Sequence, residues 1–224
     1  MTHVHDEIDE LKAQLLDLGE TVYTHMEKSF KALTTNDLNL AEEAIKEDKD
    51  IDERELCIEE ACLRVLALYS PVASDLRLII SLIKINADLE RISDYGVNLC
   101  RYIKKIAALE NGSEIEISPK FDEITKASLE MFRKSLESLK TLDIELAVEV
   151  CEMDDIVDDL NKEILSKIQR KIIKKPDLCQ GYLFLHSASR SIERLSDYTT
   201  HIAEDVYYLQ TGKIVRHHNE EMND

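Results

Sequence analysis

One six-residue string occurs twice in this chain, as Glu90-Arg91-Ile92-Ser93-Asp94-Tyr95 and as Glu193-Arg194-Leu195-Ser196-Asp197-Tyr198. The copies lie 103 residues apart, and a second pair of motifs, Asp48-x-x-x-Asp52 and Asp154-x-x-x-Asp158, lies 106 apart. Self-similarity at a fixed period means one supersecondary unit built twice. The three-residue difference predicts a shorter turn in the second copy.

The breaks between periodic stretches are few. They fall at Thr34-Thr35-Asn36-Asp37, Ser70-Pro71, Asn111-Gly112-Ser113 through Ser118-Pro119, Thr141-Leu142-Asp143 and Lys175-Pro176-Asp177. Helices start on Ser, Thr or Asp and stop before Pro. Six segments result, about 3–33, 37–69, 72–110, 119–141, 143–174 and 177–211, each with apolar residues at 3.6 spacing. Only 5 Gly and 3 Pro occur in 224 residues, with no Trp, which excludes a many-turned β architecture. Ile115-Glu116-Ile117-Ser118 alternates but is too short to found a sheet. The reading is an all-α chain of two tandem three-helix bundles, 1–110 and 119–211, followed by a polar, flexible tail at 212–224.

Net charge is −18, so nucleic acid is not expected to bind through a general basic surface. No apolar run approaches the ~18–20 residues of a membrane span, and Met1–Glu7 has neither the basic start nor the apolar run of a signal peptide. A cytoplasmic location is the expectation. Five cysteines without a Cys-x-x-Cys pair argue against a zinc knuckle or a disulfide framework and are read as small buried apolar residues.

The chemistry lies in the acids. With 46 of them, chance alone gives roughly nine acid-x-x-x-acid pairs, so spacing by itself decides nothing. Position is more informative. Leu76, Ile80, Ile83, Ala87, Glu90, Asp94 and Val97 follow a 4-3 spacing, which puts two acids inside an apolar stripe. A second stripe, including Leu82, Ile85, Leu89 and Ile92, lies on the other side. Asp48, Asp52, Glu55 and Glu59 share a stripe with Ile45 and Cys62. If the second and third segments form a hairpin about Ser70-Pro71, Asp48 and Asp94 lie about 22 and 23 residues from the pivot, and Asp52 and Glu90 about 18 and 19. The same arithmetic about Lys175-Pro176 puts Asp154 level with Asp197 and Asp158 level with Glu193. Four carboxylates thus meet at one level in each hairpin.

Such a quartet must take up protons, splay its helices or hold a cation. All-oxygen ligation suits magnesium, calcium, manganese or iron, and facing helices build di-metal sites in this way. The competing reading is a ladder of acids neutralised by Arg91, Arg194 and Arg190. His186, seven residues before Glu193, and His201, four after Asp197, are either further ligands in the second copy or satisfied histidines. His3, His5, His217 and His218 are expected to be exposed. The basic groups Arg101/Lys104/Lys105 and Lys167/Arg170/Lys171/Lys174/Lys175 fit helix C-termini, with peripheral membrane contact as the lesser reading. There is no phosphate loop, no Gly-x-Ser-x-Gly and no Glu-x-x-His, so an enzyme, including a di-metal carboxylate oxidase, is not expected.

Asp75-Leu76-Arg77 after Pro71, then Lys84-Ile85 and Asp88-Leu89-Glu90-Arg91-Ile92-Ser93-Asp94, resembles the first repeat of the PhoU family of phosphate-transport accessory and regulatory proteins. Leu183-Phe184-Leu185, Ser191 through Tyr198, Ile202 through Val206 and the closing Gly212…His217 resemble its second repeat. The resemblance implies two three-helix bundles and metal clusters, iron or zinc, on Asp48, Asp52, Glu90, Asp94, Asp154, Asp158, Glu193 and Asp197. It also implies a non-catalytic adaptor that restrains phosphate uptake and its signalling response. The implied partners are a phosphate ABC transporter, on its cytoplasmic ATPase side, and a sensor histidine kinase, and homodimers are implied as common. The chain departs from the family pattern at Ser93 and Ser196, where Gly is usual, at Tyr198, where His is frequent, and at His201, where Asn is common.

Overall fold

A computed structural model describes residues 2–214. The sequence expectations for 215–224, including His217 and His218, lie outside the described residues. Six long helices follow one another: α1 Thr2–Thr35, α2 Leu38–Tyr69, α3 Ala73–Ala107, α4 Lys120–Thr141, α5 Ile144–Lys174 and α6 Cys179–Thr211. Short 3₁₀ turns at Gly112–Glu114 and Pro176–Leu178 complete the chain, and among the described residues there is no strand. Helices α1, α2 and α3 pack as one three-helix bundle and α4, α5 and α6 as the other, so the fold is all-α with a tandem repeat. The bundles join mainly through α3 against α6, with a smaller contact between α1 and α4, and their buried side chains form one continuous core.

Local chemistry sets the turns, and sets them twice. Asn36 and Leu142 both adopt left-handed φ, at 53° and 55°. Each precedes an aspartate that caps the next helix. Asp37 accepts from the backbone N–H groups of Asn39 and Leu40, and Asp143 from that of Leu146. A capping carboxylate satisfies N–H groups that have no partner within the helix. Asp143→Ala is therefore expected to cost about 1 kcal/mol, read as a drop in midpoint of roughly 2–4 °C on thermal unfolding. The second link is not the shorter one, contrary to the offset: residues 175–178, with their 3₁₀ turn, join α5 to α6, against residues 70–72 between α2 and α3, so the three missing residues come out of the flanking helices.

The stripe Leu82, Ile85, Leu89 and Ile92 of α3 is fully buried. The acid-bearing stripe is core only in part, contrary to its spacing: Val97 is fully buried and Ile83 packs against the core. Leu76 and Ile80 at its start are exposed, as are Asp52 and Asp94. A three-helix bundle buries one broad face of each helix, and the acids stand at the rim of that face. Cys62, Cys100 and Cys151 are buried as expected, but Cys57 is exposed and Cys179 half-buried; all five are free thiols.

Close approach of α1 to α3 depends on Gly96. A Cβ there would stand 2.8 Å from Met26 Sδ and 3.1 Å from both His25 Nε2 and Ser29 Oγ. No helix among the described residues is long and apolar enough to cross a membrane.

Candidate metal centre

Both hairpins bring their four carboxylates within electrostatic reach of one another. In the first bundle Asp48 is buried, and burial first, then Asp94, push its pKa up, against a lowering by Ser93. Asp52 is raised by burial, Asp48 and Asp94. Glu90 is raised by burial, then by Asp94, Asp52, Glu55 and Asp48. In the second bundle Asp154 is pushed up to about 7 by burial, then by Asp197, Asp158, Asp155 and Glu193. Glu193 and Asp197 are raised mainly by burial, with Arg190 and Arg194 pulling the other way.

The two usual glycine positions explain part of this difference. Ser93 Oγ donates to Asp48 Oδ1 at 2.5 Å, which stabilises the ionised carboxylate. Ser196 Oγ instead bonds Ser128 Oγ at 2.9 Å and the Ile192 carbonyl oxygen at 3.1 Å. The serines that replace glycine therefore act on the quartet in one copy only.

Two participants, Asn86 and His25, carry no flag in the sequence, and a third, Glu55, is placed by it on the acid-bearing stripe of α2 but not in the quartet. Glu55 joins the first group, and Asn86 Nδ2 donates to its side-chain Oε1 at 3.1 Å and its carbonyl oxygen at 2.9 Å. The equivalent pair in the second copy is Ser189 Oγ donating to Asn161 Oδ1 at 2.5 Å. The cross-link between long helices is kept, but a carboxylate has become an amide. The 106- and 103-residue offsets would have found this pair. His25 lies on α1, 2% exposed, with neither ring nitrogen hydrogen-bonded. Burial drives its pKa down to about 4, only partly offset by Glu47.

The arginine ladder is partial. Arg91 pairs with Asp88 at 3.7 Å and lies over the Tyr198 ring at 5.3 Å, away from the first quartet. Arg190 Nη1 stands 3.5 Å from Glu193 Oε1, while Glu193 Oε2 is buried without a hydrogen-bond partner. His186 lines a hollow with Arg190 and Arg194, and His201 sits edge-on to Tyr198 at 5.4 Å.

Among the described residues, no three His, Cys, Asp or Glu side chains stand close enough to hold an ion as arranged. The donor set nevertheless fits a hard cation: oxygen ligands, mutual repulsion that a cation would relieve, and one orphaned carboxylate oxygen. Side-chain rotation would have to bring the acids inward.

These shifts give the site a pH signature. An acid raised in the folded state binds its proton more readily there than in the unfolded chain. Stability from Asp154 is thus greatest below its ordinary pKa of 3.8 and falls as pH rises to about 7. His25 acts oppositely: held neutral when folded, it costs stability as pH drops from 6.5 toward about 4. In metal-free protein at pH 8, Asp154→Asn is expected to stabilise by about 1–2 kcal/mol, after discounting for solvent screening at this half-buried site. Urea unfolding at pH 8 and pH 5 measures it, and an equal effect at both would remove the charge explanation.

The sequence matches the PhoU domain twice, over residues 15–103 and 121–206. It is 33% identical over 215 residues to the phosphate-specific transport system accessory protein PhoU homolog of Pseudomonas putida, covering 94% of this chain and 82% of that protein. The crystal structure of the phosphate transport system regulatory protein PhoU from Streptococcus pneumoniae superposes with a TM-score of 0.86 at 27% identity, covering 95% of this chain and 99% of that one. PhoU from Pseudomonas aeruginosa gives a TM-score of 0.86 at 32% identity, covering 93% and 99%.

Proposed function

Since the chain belongs to the PhoU family, we propose that it is an accessory regulator of a phosphate-specific transport system, restraining phosphate uptake and phosphate-responsive signalling. The observation that carries this reading is the double domain match, over residues 15–103 and 121–206. The proposed form is a non-catalytic cytoplasmic adaptor, homodimeric. It docks on the cytoplasmic ATPase side of a phosphate ABC transporter and on a sensor histidine kinase. Deleting the gene is expected to raise a phosphate-responsive promoter reporter in phosphate-replete cells, with the intact gene restoring repression. A reporter indifferent to the deletion would remove the regulatory role.

The adaptor is also proposed to hold metal, iron or zinc, on Asp48, Asp52, Glu90 and Asp94 and on Asp154, Asp158, Glu193 and Asp197. A bound cation supplies the positive charge that each quartet lacks. The carboxylates raised by their neighbours and the orphaned Glu193 Oε2 support this. A metal-free adaptor is the second reading, favoured by Arg190 and Arg194 beside the second quartet. Elemental analysis of untagged protein separates them. Metal at one or more equivalents, reduced in Glu90→Ala/Asp94→Ala, supports the first; protein that refuses metal on reconstitution supports the second.

A further inference from the structure

Helices α3 and α6 meet about an internal two-fold. Tyr95 and Tyr198 occupy equivalent repeat positions, and their rings stack with centroids 5.9 Å apart. A two-fold contact produces each flanking feature twice, and here a hollow lies on each side of the tyrosine pair. On one side Lys84, Asp88 and Arg91 of α3 meet Glu204, Asp205 and Tyr208 of α6. On the other, Ser187, Arg190, Ser191 and Arg194 of α6 meet Tyr95 and Tyr102 of α3.

The symmetry holds in position and fails in charge. The first hollow, about 700 Å³, sets two basic residues against three carboxylates. Lys84 Nζ pairs with Asp205 Oδ1 at 3.0 Å and Arg91 with Asp88 at 3.7 Å. In the second, about 290 Å³, the acid positions are gone. At the 103-residue offset Ser191 stands for Asp88 and Tyr102 for Asp205. Arg194 is kept for Arg91, and Arg190 replaces the small Ala87. The lining then has two arginines, His186, hydroxyl donors and no carboxylate, in a chain of net charge −18. Lys105 adds charge at its edge, over the Tyr102 ring at 5.6 Å.

Both arginines also face Glu193 and Asp197, but this does not use up their donors. A guanidinium has five N–H donors, and the Arg190 contact to Glu193 is one pair at 3.5 Å with Arg190 nearly half exposed. Two arginines four residues apart share one helix face and line the same hollow, and the guanidinium fork matches a phosphoryl group's oxygens.

We propose that this hollow is a phosphoryl-anion site, adjoining the second carboxylate quartet through Arg190 and Arg194 but lined by none of its acids, and present in one half of the repeat only. Arg190 and Arg194 supply the charge, and the absence of an acid at Ser191 leaves room for the anion's charge. The phosphoryl group belongs either to free inorganic phosphate or to a nucleotide, whose base would lie on the tyrosine faces.

The test titrates inorganic phosphate and, separately, AMP into the full chain by calorimetry at fixed ionic strength. Metal is first stripped over chelating resin, so that anion binding to a metal is removed and the result is independent of the metal proposal. One anion per chain is expected, with affinity weakened at least tenfold by Ser191→Asp, which restores the acid of the first hollow. Arg190→Gln, at an exposed position, is expected to give the same loss with helical content unchanged, and guards against misfolding of the first variant. Tighter binding of AMP than of phosphate, lost in the same variants, supports the site with a nucleotide as the source. No binding of either, or binding unchanged in both variants, overturns it.

Discussion

Metal-stripped protein is expected to gain about 4 kcal/mol of unfolding free energy per site when a cation it binds is restored at a thousand times its dissociation constant. The gain comes from binding that exists in the folded chain alone. The ligands of each quartet come from two helices more than thirty residues apart, for example Asp48 and Glu90, and unfolding disperses them. The double amide variant Glu90→Gln/Asp94→Asn is expected to change stability in opposite senses. Without metal it is more stable than the wild type, because burial and like-charge repulsion raise Glu90. With metal it loses the first bundle's share of the gain. Chemical denaturation with and without zinc or ferrous iron reads both effects. A wild type indifferent to either metal would remove the quartets as binding sites.

A second large effect is expected at Gly96. Leucine is favoured over glycine in a helix interior by nearly 1 kcal/mol, so on an exposed face Gly96→Leu would stabilise. Here α1 stands too close, with Met26 Sδ, His25 Nε2 and Ser29 Oγ all within 3.1 Å of where a Cβ would lie. Helices α1 and α3 must part, leaving His25 and Ser29 in a disturbed core. Overpacking of this kind costs about 3 kcal/mol, a drop in midpoint of roughly 6–12 °C. Gly96→Ala is the internal control. Its single methyl displaces the flexible end of Met26 and regains helix propensity, so it is expected to be nearly neutral. A leucine variant as stable as the alanine one would mean that the helices slide apart at no cost.

The fold was legible because its signals are short-range. Asp37 and Asp143 announce helix starts, Pro71 and Pro176 announce breaks, and the duplicated Glu-Arg-x-Ser-Asp-Tyr string fixes the two-copy arrangement. The register of each carboxylate quartet was legible too, since antiparallel helices of known rise leave little freedom about a short turn. Degree of burial was not legible. A 4-3 stripe with Leu76 and Ile80 reads as core, yet both face solvent, because the packing of α1, α2 and α6 against α3 leaves that stretch of the helix uncovered. In the competing reading Arg91 neutralises the first quartet, but it pairs with Asp88 instead and lies over Tyr198 of the other half, a partner set by tertiary packing. His25 drew no notice because nothing in the repeat matches it. The second copy, at the 106-residue offset, has Met131 there.

The joining of the two halves through α3 and α6 also orders events during synthesis. Contacts within each bundle link neighbouring helices, the kind of local topology that forms in microseconds to milliseconds. The first bundle is complete once Ala107 has been made. Its partner face on α6 is finished only at Thr211, about a hundred residues later. At ~5–20 residues per second that interval is roughly 5–20 s. Throughout it, the α3 face bearing Tyr95 and Tyr102 waits in the growing chain without Tyr198 and Phe184, the rings it later stacks on. The first half must therefore persist for seconds as a lone bundle with an aromatic face open to solvent, which is the period in which the nascent chain is most prone to pair with another copy of itself.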